Sequence, residues 1–384
     1  MSLRAVFHLP VSSNRLFGLD LLRAVAIIMV MLWHGQPFVP PSLLPAYKYL
    51  LRFDGVDVFF ALSGFLIGGI LIRTLETKPA SLSTLGDFWA RRWIRTVPPY
   101  YLALGIAIIL ETRQPGVFAG EYKRYFLFLQ NLNWVHPLRY PEGWSLAVEE
   151  WFYLLSAPAI FLLVAAKLKP QVAVAVAAVG VILAMTLHRY YHFLHLPPHT
   201  LEEWDVQLRK IVLMRLDNLM YGVLAAYWTY YYKQSWHRYK EAKFIIGLLW
   251  LCLQPIPTEP ADYTLFGCVF YFACTPLATI LMLPLLSSWE SSNGAVGKAI
   301  THVSLISYSM YLLHFTILKN RIIEPLIHSL AITERYRNLL GMSLFWGLTL
   351  LCATLMYKYF EVPVMALRSR LSSARSAHAK ARVP

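Results

Sequence analysis

Ten apolar runs, at 16–36, 56–72, 97–111, 144–166, 172–187, 211–232, 244–255, 265–286, 303–318 and 339–359, recur along the chain with polar stretches between them. About 20 apolar residues is the length at which a helix crosses the ~30 Å hydrocarbon core of a bilayer. With 57% hydrophobic residues and a mean hydropathy of +0.49, the chain lies far from a soluble domain. It reads as an all-α polytopic membrane protein of about ten transmembrane helices, folded as one bundle. The runs at 97–111 and 244–255 are short for a straight span and are expected to tilt, to extend through flanking aromatics or to re-enter.

The formal charge of +14 would suit a nucleic-acid binder, but the basic residues are spread through loops and a tail rather than gathered on one face. More of the Lys and Arg outside the runs fall on the inner side if the N-terminus is cytoplasmic, so both termini are expected to face the cytoplasm. The first run lacks a small-residue cleavage site and reads as a retained signal-anchor. Cys252, Cys268, Cys274 and Cys352 all lie within runs, without disulfide or metal-ligand spacing. The expected organisation is a cytoplasmic segment at 1–14, a transmembrane domain at 15–361 and a basic cytoplasmic tail at 362–384 near anionic lipid.

Ionisable residues inside such runs are costly and point to function. The first run carries Asp20, Arg23 and His34. Arg23 and His34 are eleven positions apart, about 20° past three helical turns and about 16 Å along the axis, so they share a face at two depths. Between the second and third runs, Arg91, Arg92 and Arg95 interleave with Trp89, Trp93 and Ile94 in an amphipathic pattern suited to the interface. Arginines favour bidentate phosphate recognition, although a basic juxtamembrane helix also serves lipid headgroups.

Three clusters gather toward the outer side. Phe53 to Ile67 holds Asp54, Asp57 and the Ser63-Gly64 pair; Pro141 to Leu155 holds Trp144, Ser145, Glu149 and Glu150; Ile306 to Leu318 holds Ser307, Tyr308, Ser309, Tyr311 and His314. Each has an ordinary structural use: a packing notch at Ser63-Gly64, an N-cap at Ser145, a helix-end hydrogen bond at His314. Together they suggest a site inside the bundle. Arg215 and Asp217 are intramembrane charges that read as a structural pairing across helices, ahead of a contact with the acceptor. His188, His192, His195 and His199 have near-helical spacing but no evident carboxylate or cysteine partner, so no metal is expected.

These blocks, the arginine and histidine of the first run, VDVFFALSGFLI, RRWIRTVPPYY, WSLAVEEWFY and ISYSMYLLH, occur in the order seen in the integral-membrane acyltransferase-3 family, and the chain resembles that family from about Arg15 to Glu361. The resemblance implies an O-acyltransferase of the bacterial cytoplasmic membrane that takes an acyl group, most often from acetyl-CoA, and acylates a hydroxyl of an envelope sugar, lipid-linked glycan or secondary metabolite. It places the family's arginine and histidine on Arg23 and His34, its arginine motif on Arg92 and Arg95, its aspartate on Asp57 and its acidic motif on Trp144, Ser145 and Glu149. Longer members add an extracytoplasmic esterase-like domain; this chain is expected to be a stand-alone transmembrane module, with any second transfer step made by another protein. Glu361 also recurs in the family and reads as structural.

The chemistry asks for a base that takes the hydroxyl proton as the thioester is attacked, and histidine suits that task near neutral pH. His34 is the expected base, with Glu149 or Asp57 fixing its tautomer. Arg92, Arg95 and Arg91 are expected to hold the phosphates of acyl-CoA, with Arg23 guiding the pantetheine or pairing with Asp20. Asp20, Ser63, Trp144, Ser145, Tyr308 and His314 are supporting or acceptor-side residues. No tightly bound cofactor is expected. The competing class is a transporter or flippase of a lipid-linked sugar or acyl donor, which should show inverted repeats; no convincing repeat is present.

Overall fold

The computed structural model describes residues 9, 15–112, 122–137, 139–254, 256–257 and 259–367, so nearly all of the expected 1–14 segment and residues 368–384 of the basic tail lie outside the described residues. Among the described residues there is no strand. Ten helices of 14 residues or more carry the architecture: α1 Phe17–Gly35, α2 Gly55–Thr77, α3 Leu82–Thr112, α4 Gly143–Ala165, α5 Pro170–His195, α6 Leu216–Tyr231, α7 Lys240–Leu253, α8 Tyr271–Leu286, α9 Ala295–Leu313 and α10 Glu334–Met356.

Seven segments among the described residues are long and apolar enough to cross a membrane, those carrying α1 to α5, α8 and α10. The other three depart from the hydropathy reading for physical reasons. α6 and α7 have 16 and 14 residues and fall short of a full span. α9 has the length, but the serines and tyrosines that crowd it dilute its hydropathy. The short run at 97–111 belongs to a 31-residue helix that continues through Pro98 and Pro99. Its length of about 46 Å joins the basic amphipathic segment and the apolar run into one rod, where a separate interfacial helix was expected. Tyr308 donates from Oη to the Thr96 carbonyl at 2.7 Å, just before the two prolines. The last helix also passes the expected boundary at 361 and runs on to residue 367.

Local chemistry sets the helix starts. Asp54 caps α2 by accepting from the Val56 N–H at 2.9 Å. α5 begins at Pro170, whose missing N–H is harmless in a first turn. Three of these helices adjoin π-helical turns: His314–Ile323 after α9, Tyr357–Glu361 after α10 and Phe266–Phe270 before α8. Such turns often mark functional positions.

The most extensive helix contact is between α2 and α6. Glycine makes it possible: a Cβ on Gly64 would collide with the Leu219 carbonyl, and one on Gly222 with the Ala61 carbonyl. Gly64→Val and Gly222→Val should each cost about 1–3 kcal/mol by overpacking, read as a lowered melting temperature in detergent. Gly180→Ala, where a Cβ meets nothing within 4 Å, should stay within about 0.5 kcal/mol of the native chain.

Candidate active site

A cavity of about 290 Å³ opens between α1, α2, α3, α4, α9 and the turns after α10. Arg15, Arg23, Arg92 and Arg95 line it, together with Ser63, Ser145, Glu149, Tyr308 and Glu361. Helical spacing explains which side chains arrive. Arg92, Arg95 and Thr96 share one face of α3, and Ser145, Glu149 and Tyr153 share one face of α4. Arg91 is turned out of this face, its Nε donating to the Asp87 carbonyl at 3.0 Å, so the arginine block supplies two cavity residues where three were expected. Adjacent Glu149 and Glu150 part in the same way. Glu149 accepts from Ser63 Oγ at 2.9 Å and Tyr153 Oη at 3.2 Å, whereas Glu150 accepts from Thr96 Oγ1 at 2.7 Å.

Asp20 lies behind the cavity wall, 2% exposed. It accepts from Arg15 Nε at 2.9 Å, Arg23 Nη1 at 3.3 Å and Ser304 Oγ at 2.9 Å. One carboxylate thus anchors two guanidiniums and leaves positive charge facing the cavity. Arg15 was missed in the sequence because it precedes the apolar run and reads there as an ordinary flanking charge. Glu361, read as structural, both lines the cavity and accepts from Ser309 Oγ.

Asp57 is elsewhere. It pairs with Arg215, whose guanidinium lies 4.4 Å from the Phe272 ring centroid. Asp217 pairs with Arg189 at 2.6 Å. Arg215 and Asp217 thus take part in the expected structural pairing across helices, each with its own partner, because residues two apart on a helix do not face each other. Trp144 is 3% exposed and packs edge-on to Phe60 beneath Arg209, 4.9 Å away; it supports the wall without lining the cavity. Outside the spans, Arg209 bridges Asp54 and Asp205, each at 2.6 Å. Burial opposes its charge, but the two carboxylates outweigh burial and raise its pKa. Burial likewise pushes Asp205 up, and Arg209 and Lys210 more than reverse this, leaving its carboxyl below the usual range.

His34 is half-buried and does not line the cavity. Its Nδ1 lies 2.9 Å from Nε2 of His314, which is fully buried. His314 Nδ1 in turn faces the Tyr311 and Met310 carbonyls at 2.8 and 3.1 Å. A histidine thus occupies the place expected for Glu149 or Asp57. The cavity ends toward this pair at Ser145 and Tyr311, whose hydroxyls are 2.7 Å apart. The Tyr311 and His314 ring centroids are 5.8 Å apart. Glu142, not singled out from the sequence, ties α4 to the turns after α9 by accepting from the Thr316 N–H at 3.0 Å and Oγ1 at 2.6 Å. Its position just before a tryptophan-led helix was the available signal. His188 and His195 engage the Leu213 and Tyr191 carbonyls, and no metal-holding group occurs among the described residues.

The acyltransferase domain family matches residues 16–358. The chain belongs to the acyltransferase-3 family. The chain is 24% identical over 376 residues to a Staphylococcus aureus (strain COL) protein named provisionally as an O-acetyltransferase, covering 90% of this chain and 56% of that one. It is 28% identical over 199 residues to O-acetyltransferase OatA of Staphylococcus aureus (strain NCTC 8325), covering 48% and 31%. The chain therefore spans little more than half the length of the first relative. No solved structure matches it.

In this multi-pass chain the Asp57–Arg215 pair is buried on both sides, at 4% and 0% side-chain exposure. Removing one partner strands the other charge. Asp57→Ala should destabilise by about 3–5 kcal/mol, and Asp57→Leu with Arg215→Met should recover most of the loss. Thermal unfolding in detergent measures both. A catalytic role alone would instead leave the melting temperature of Asp57→Ala unchanged.

Proposed function

We propose that this protein is a membrane O-acyltransferase that takes an acyl group, most simply acetyl, from acyl-CoA at the inner face and places it on a hydroxyl of a carbohydrate acceptor at the other face. One observation carries the reading: four arginines gather on a cavity that ends at Ser145 and Tyr311, one layer short of the His34–His314 pair. Both termini face the cytoplasm in this reading, which puts Arg92 and Arg95 where the cytosolic nucleotide arrives. The setting is the bacterial cytoplasmic membrane, and the acceptor is a cell-envelope glycan, a lipid-linked glycan or a hydroxylated secondary metabolite, as suits polysaccharide modification.

Arg92 and Arg95 hold the phosphates as charge-assisted, directional donors, with Arg15 and Arg23 kept in place by Asp20. The pantetheine arm enters between α1, α2 and α4, past Ser63 and Glu149. The Ser145–Tyr311 contact parts to let the thioester approach His34. His34 then removes the acceptor hydroxyl proton as the new C–O bond forms. The C–S bond breaks, and the CoA thiolate leaves with that proton.

The test is thiol release from acetyl-CoA in nanodiscs supplied with a lipid-linked glycan extract as acceptor, with CoA binding titrated in parallel. Arg92→Ala with Arg95→Ala should weaken CoA binding about tenfold or more. His34→Ala should keep CoA affinity within about twofold while thiol release falls about 100-fold or more. Binding without thiol release in the native chain would favour the transporter reading, and thiol release unchanged by either substitution would overturn the site.

A further inference from the structure

His34 and His314 come from opposite ends of the chain, and the surroundings of His314 decide which nitrogen of each carries a hydrogen. A neutral imidazole has one N–H and one lone pair. His314 Nδ1 faces two carbonyl oxygens, of Tyr311 and Met310, and these only accept. Nδ1 must therefore hold the hydrogen, which leaves Nε2 of the neutral ring as an acceptor. The atom 2.9 Å from it is His34 Nδ1, which must then donate. His34 Nε2 is left with its lone pair and with no hydrogen-bond partner among the described residues. The reverse order would set the Nδ1 lone pair of His314 against two carbonyls.

The scaffold holds this order from several sides. The helix changes register at His314, where the π-helical turns begin. Tyr140 Oη donates to the Leu312 carbonyl at 2.8 Å, and Glu142 takes the Thr316 N–H, so His314 is braced before and after. The His34 ring packs on Phe315 at 4.5 Å between centroids, which restricts its plane. When His34 Nε2 gains a proton, Nδ1–H still points at the lone pair of His314. That lone pair stabilises the imidazolium without placing a second formal charge in the bundle, where a carboxylate would have to be desolvated.

We propose that His314 is a positioning residue that holds His34 in the Nδ1–H tautomer and so presents Nε2 as the proton acceptor. The proposal rests on the reading of His34 as the base. Free histidine favours the Nε2–H tautomer, so the effect is visible without turnover. ¹⁵N-histidine NMR of the full chain in nanodiscs, with His34 assigned by the loss of its signals in His34→Gln, should show His34 protonated at Nδ1 and unprotonated at Nε2. In His314→Asn, which keeps a donor for the helix carbonyls but is too short to place an acceptor where Nε2 stands, His34 should revert to mainly Nε2–H. Thiol release should fall about 10- to 100-fold with KM for acetyl-CoA unchanged. Adding His314→Asn to His34→Ala should cost nothing further, because both act through one group.

An Nε2–H signal for His34 in the native chain overturns the proposal, as does an additive loss in the double variant. If His314→Asn does not fold, the native spectrum alone decides. If His34→Ala keeps full thiol release, the base assignment fails, while the spectrum still judges the tautomer.

Discussion

Two buried ion pairs join separate parts of the chain, and the arrangement they impose organises the rest. Asp57 on α2 answers Arg215 just before α6, and Asp217 on α6 answers Arg189 on α5. Phe272 on α8 packs against both guanidiniums. Four helices are thereby pinned in one arrangement by two ion pairs that neither bilayer nor water could replace cheaply. Glycine contacts between α2 and α6 then bring the backbones together. The cavity lies along the other face of α2, where Ser63 and Phe59 point away from that seam.

Much of the site was legible because helical periodicity carries directly from sequence to space. Arg23, Arg92, Arg95, Ser63, Ser145, Glu149 and Tyr308 do meet around one cavity. The reading lost accuracy where partners are chosen by tertiary contact. No local signal says that Asp57 will find Arg215 rather than a histidine, or that Asp217 will find Arg189. The His34–His314 contact joins residues 280 positions apart. Both were visible as unusual residues in apolar runs, but their mutual distance was not. Glu142 and Arg15 were passed over because both sit at helix entrances, where acidic and basic residues are ordinary.

Helix boundaries were least legible where function bends the rules. Pro98 and Pro99 stand at the start of the apolar run at 97–111, yet α3 begins well before them and passes through. α9 is too polar to register as a span because its serines and tyrosines serve the interior. The π-helical turns after it leave no mark in hydropathy, although they set the direction in which His314 points.

The length of α3 has a mechanical consequence. Arg92 and Arg95 stand on one half of this rod, while on the other half Tyr100 and Tyr101 donate to the Tyr125 and Phe126 carbonyls. The segment around Tyr125 also meets the Tyr140 stretch that leads to α4. One continuous helix thus carries both the cavity arginines and the anchor of the connecting segment, so a displacement of the arginine face would be passed through α3 to the rim beside Tyr140.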